Sequence, residues 1–160
     1  MRFPATFAAL AALITPALNA QAVPVRINFT FEGEPTATTT APSEVGSVLA
    51  RRSALRAWTD SVDVYLDQAA LGARDKGWLR SRQGEAANYS VTVVALPVLG
   101  FACAKGLTAY SVVIFEPGSY NQWKYLQDYV GYGTSAQDAA DGIFRAATEA
   151  INDTRTQKAR

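Results

Sequence analysis

Tyr89-Ser-Val-Thr-Val-Val-Ala-Leu96 is the stretch on which the fold turns. Val and Thr dominate it, and such residues suit a pleated surface. Val91, Val93 and Ala95 line one face of the strand it predicts, and Thr92, Val94 and Leu96 the other. Pro97 ends it, because a proline cannot donate to a sheet ladder. After a connection over Gly100–Gly106, Leu107–Glu116 predicts a second strand. Its centre, Tyr110-Ser-Val-Val-Ile-Phe115, is apolar on both faces, which places it inside a sheet. Pro117-Gly118-Ser119 is a turn. In Gln122–Tyr132, the residues Trp123, Leu126 and Val130 fit a helix as well as a strand. The aromatic content and short connection favour a third strand of a meander.

Upstream, Val25, Ile27, Phe29 and Phe31 alternate with Arg26, Asn28, Thr30 and Glu32, the period of a half-buried strand. Glu32–Ser43, rich in Pro and Thr, reads as an exposed loop. Ser43 is a candidate cap for a long helix in which Leu55, Trp58, Val62, Tyr65, Leu66 and Ala69 form one stripe, with Gly72 as its stop. Trp78–Arg82 is a candidate short strand between the turns Asp75-Lys76-Gly77 and Gln83-Gly84-Glu85. At the C-terminal end, Ser135 and Asp138 resemble a capping box with Asp at the usual Glu/Gln position. Ala136, Ala140, Ile143, Phe144, Ala147 and Ile151 then form one helical face. The expectation is an α+β fold: a mostly antiparallel sheet made of the N-terminal strand and a three-strand meander, with a long helix and a C-terminal helix packed on one face. It is organised as a signal peptide at 1–22, one domain at 23–152 and a flexible tail at 153–160.

The signal peptide is read from Arg2, the apolar run Ala5–Ile14 and the small-x-small site Ala20-Gln21-Ala22. The apolar run is too short to span a bilayer, so the mature protein is expected to be secreted or periplasmic, without a transmembrane segment. Three Asn-x-Ser/Thr sequons make Asn28, Asn88 and Asn152 candidate glycosylation sites, which leaves bacterial and eukaryotic secretion both open.

The 160 residues contain no histidine and one cysteine. That composition excludes Ser-His-Asp and Cys-His catalysis, His-ligated metals and disulfide frameworks. Charge is balanced, with 15 Lys+Arg against 14 Asp+Glu, so nucleic acid is not an expected partner. Cys103 lies in an apolar run and reads as buried and inert. No cofactor is expected. The remaining chemistry rests on carboxylates. Asp60, Asp63 and Asp67 share a helix face, which suits a hard cation or, more simply, a solvated surface. Glu116, at a strand end, is a candidate general acid. Gly131-Tyr132-Gly133 could hold an anion at a helix N-terminus, but lacks a phosphate-loop lysine and reads first as a turn.

The aromatic density from Tyr110 to Tyr132 carries the functional expectation. Tyr and Trp join apolar area to a polar tip, which suits protein interfaces and sugar stacking. Trp123, Tyr125, Tyr129 and Tyr132 are the expected binding residues. A meander followed by an Ala-rich helix over roughly 89–152 resembles, in topology alone, small periplasmic accessory domains of bacterial envelope assembly. The leading expectation is an exported, non-catalytic accessory protein that binds another protein through its sheet, with a homodimer open. Alternatives are a carbohydrate or small-ligand-binding module and a small carboxylate-dependent hydrolase.

Overall fold

The computed structural model describes residues 23–32, 45–82, 84–96 and 108–160. The expected signal peptide at 1–22, nearly all of the Pro/Thr-rich stretch, the candidate cap Ser43 and Cys103 lie outside the described residues. Strand β1 (Val25–Glu32) is followed by helix α1 (Val45–Gly72), the short strand β2 (Trp78–Ser81), β3 (Tyr89–Leu96), β4 (Thr108–Pro117), β5 (Trp123–Gly133) and helix α2 (Ala136–Lys158). The fold class is α+β. The strands form one sheet in the order β2-β1-β3-β4-β5.

The sheet is mixed, so the expectation of a mostly antiparallel one fits it roughly. β1 runs parallel to both β2 and β3, while the β3–β4 and β4–β5 pairs are antiparallel. The connection explains the first pair: α1 carries the chain back over the sheet, so β2 re-enters in the direction of β1. β2 is therefore a member of the sheet beyond the four strands expected.

Alternation divides the strands between two environments. Val25, Ile27 and Phe29 of β1, Val91 and Val93 of β3, and Tyr110, Val112 and Ile114 of β4 all enter a single core. From the helices come Val62 and Leu66 of α1 and Ile143, Ala147 and Ile151 of α2. Both helices thus cover one face of the sheet. The opposite face carries Asn28, Thr30, Thr92, Ser111 and Val113, none of them in that core.

Helix α2 begins with the expected cap. Ser135 Oγ accepts from the Asp138 N–H at 3.0 Å. Asp138 reaches back to Thr134 rather than to the cap residue, accepting from its N–H at 2.9 Å and its hydroxyl at 3.0 Å. Those two bonds hold the Asp138 carboxyl below its ordinary range. At its other end α2 continues to Lys158, which corrects the expected tail at 153–160. Lys158 Nζ lies 2.5 Å from the buried Glu116 carboxylate, so the last turn is anchored to β4.

Close packing replaces turn chemistry at Gly131 and Gly133. Both lie inside β5, and neither has a positive φ. A Cβ on Gly131 would stand 2.6 Å from the Tyr110 ring, and one on Gly133 would stand 2.6 Å from Ala139 Cβ. Gly142 of α2 faces the Tyr110 hydroxyl in the same way. Glycines are what allow the buried Tyr110 to fit between β5 and α2. Burial raises its phenol pKa, with Tyr129 and Asp138 adding to the effect.

Candidate functional site

Four exposed aromatic residues stand on β5, but they do not share one face. Regular alternation would place Trp123, Tyr125 and Tyr129 together and Tyr132 opposite them. A β-bulge changes this. Ile114 pairs with Gln127 and Phe115 with Tyr125, so Leu126 is the extra residue. Opposite residues of an antiparallel pair share a face. Trp123 opposes Pro117, Tyr125 opposes Phe115 and Tyr132 opposes Ala109, all on the open face. Tyr129 opposes the fully buried Val112, on the helix-covered face. The structure therefore puts Trp123, Tyr125 and Tyr132 on one face, with Tyr132 about 20 Å further along the strand than Tyr125, and puts Tyr129 on the other.

The open-face rings are well presented, with Trp123 48%, Tyr125 54% and Tyr132 63% exposed. Val130 lies between the two groups on the same face. The Tyr125 hydroxyl donates to the Asp128 carboxylate across the bulge, which raises the Tyr125 pKa. Tyr120, in the turn before β5, is 96% exposed and holds φ at 58°. A bulky residue rarely adopts that conformation. Tyr120 belongs to the aromatic run of the sequence but not to the expected binding residues; its neighbour Asn121, a residue type that tolerates a left-handed backbone, also holds φ at 58°.

Tyr129 instead lines a groove of about 420 Å³ between β5 and α2, with Gln127, Arg145 and Glu149 at its rim and Ile114 and Ala150 below. A second groove, of about 590 Å³, lies where β2 stops and β1 continues, beside Arg80 and Asp63.

The candidate acids are already engaged. Arg80 donates to the Asp63 carboxylate, to the Asp63 carbonyl at 2.6 Å, and lies 2.9 Å from Asp67. Its guanidinium also stands 5.8 Å from the Phe29 ring centre. Two of the three aspartates on that helix face thus fasten α1 to β2. Glu116 lies between Lys158 and Lys124, the latter at 3.7 Å. The Lys158 hydrogen bond holds its carboxyl below the ordinary range, despite burial acting the other way. A general acid must carry a proton near working pH, and this arrangement does the reverse.

The sequons occupy three settings. Asn28 is half-buried within β1, Asn152 is exposed on α2, and the Asn88 Oδ1 accepts from the Arg26 N–H at 2.8 Å. Among the described residues, no three acidic or sulfur-bearing side chains gather as a metal site. No described helix is long and apolar enough to cross a membrane.

No protein-family model, curated protein or solved structure matches this chain.

Proposed function

We propose that the chain is an exported, non-catalytic accessory protein that binds another protein through the open face of its sheet. One observation carries the reading: Trp123, Tyr125 and Tyr132 are all exposed on the face away from both helices, the first two beside Phe115 at one end of β5 and Tyr132 beyond Val130 at the other. Large aromatic rings with polar tips are the commonest energetic anchors of protein interfaces. The β3–β4–β5 meander is the unit that presents them. The apolar leader at 1–22 supports export. The ion pairs that occupy Glu116, Asp63 and Asp67 weigh against the hydrolase alternative.

Native mass spectrometry of the protein isolated from its own source tests this. A co-isolated protein is expected, and rebuilding that complex with Trp123→Ala and Tyr125→Ala should weaken it by about 2 kcal/mol or more per residue. Equal binding by the double variant would sink the reading. The small-ligand alternative keeps one specific support, the groove beside Tyr129. Its size suits a small organic molecule. A retained small ligand that is lost with Tyr129→Ala would favour it instead.

A further inference from the structure

Among the described residues, β5 is a terminal strand whose outer edge pairs with nothing. The bulge at Leu126 interrupts that edge, so its regular part runs from Gln127 to Gly133. An exposed regular strand edge bearing apolar residues is a template for another strand. The geometry points to β5 of a second copy as that strand, joined antiparallel about a two-fold axis through Val130. Two five-stranded sheets then become one continuous sheet. This rests on reading the sheet as the interaction surface, but it uses the strand edge and not the Trp123–Tyr125 end of the open face.

The register follows from what each choice sets opposite Asp128. A two-fold axis normal to the sheet pairs residues at equal distances on either side of it, on the same face. An axis at Asp128 opposes two carboxylates, which is destabilising. An axis at Tyr129 sets each Asp128 against Val130, which offers no side-chain donor. An axis at Gly131 sets it against Thr134, whose N–H and hydroxyl already bond Asp138. An axis at Val130 sets each Asp128 carboxylate against the Tyr132 hydroxyl of the second copy, donor to acceptor, twice. Tyr125 bonds only one carboxylate oxygen of Asp128, so the other can accept. On the helix-covered face, each Tyr129 then lies opposite a Gly131, where no side chain obstructs the ring. Val130 meets its own copy at the axis. The three side chains so covered, Tyr129, Val130 and Tyr132, are 42%, 52% and 63% exposed in the single chain.

Sedimentation equilibrium of the mature protein over a concentration series, in reductant to exclude a Cys103 link, is the test. A reversible dimer is expected. Val130→Lys, which opposes two ammonium groups at the axis, should weaken it by about tenfold or more. Cysteine placement checks the register independently and does not depend on that variant folding. Under mild oxidation Val130→Cys should link to itself, identified by mapping the joined peptides. Asp128→Cys should link to Tyr132→Cys in a mixture, and neither to itself. A monomer at every concentration, a dimer unchanged by Val130→Lys, or self-linking at Asp128→Cys would overturn the inference. A dimer lost with Trp123→Ala and Tyr125→Ala but kept by Val130→Lys would overturn it while sparing the open-face reading. A dimer kept by the double variant while capture of another protein is unaffected supports the edge and removes the face.

Discussion

At one end of the sheet β2 presents four residues, and at the other β5 presents eleven. Both are edges, yet they are built differently. β2 is fastened from the helix side, with Trp78 buried and Arg80 gripping Asp63 and Asp67 across to α1. Its shortness alone limits what could pair with it. β5 is seated from behind by Tyr110, through Gly131 and Gly142, while nearly all its side chains up to Val130 stay exposed. The difference teaches that burial on one side of a strand can be spent on rigidity while the other side is kept available. A pre-formed edge loses little entropy on association, which favours β5 over β2 as the proposed binding element.

The largest way to break this contrast is to remove the seat. Tyr110→Ala should cost about 3–5 kcal/mol, as for other large buried rings. Urea denaturation measures it, and a loss under 1 kcal/mol would mean β5 does not depend on Tyr110. At the other edge, Arg80→Met removes hydrogen bonds to charged groups and should cost about 1.5–3 kcal/mol. Asp63 and Asp67 are about half exposed, so water can take over their solvation. Hydrogen exchange should speed up at Val25–Asn28 and stay unchanged in β5; equal acceleration in both would show the two edges to be coupled.

The Glu116–Lys158 pair gives a smaller, pH-dependent effect. Lys158 holds folded Glu116 below its ordinary 4.5, so the contribution is present above that value and is lost as pH falls through the lowered folded one. Folded Lys158 is raised above its ordinary 10.5, so on the alkaline side the contribution is full below 10.5 and is lost as pH rises through the raised value. Glu116→Gln should flatten the acid limb of a stability profile below pH 4.5, and an unchanged limb would place the acid sensitivity elsewhere. The smallest effect is expected from Trp123→Ala, within about 0.5 kcal/mol of wild type in folding stability, since the ring is half exposed. A calorimetric loss of several kcal/mol would show that Trp123 belongs to the packing and not to a surface kept for binding.

Local patterns were legible in the chain. The alternation of Val25–Glu32 and the helical spacing of Ala140, Ile143, Ala147 and Ile151 each appear as strand and buried helix face. What escaped was everything set by distant partners. Glu116 meets Lys158 across 42 positions, which turned an expected tail into the final turn of α2. Arg80 claims two aspartates that read as a solvated face. The parallel pairing of β1 with β3 depends on which strands neighbour one another, and alternation is blind to that. The bulge at Leu126 has no residue signature, so Tyr129 and Tyr132 could not be assigned to their faces.

That bulge also bears on solubility. Without Leu126 the pairing of Ile114 with Gln127 and of Phe115 with Tyr125 would become consecutive, leaving every other residue on its present face. The strand would then offer an uninterrupted edge with Trp123 and Tyr125 in line with Tyr132. Long, flat, aromatic edges are the ones that nucleate fibrous aggregates. One inserted residue therefore acts as a gatekeeper, and its deletion should make the chain precipitate at concentrations where the unaltered chain does not.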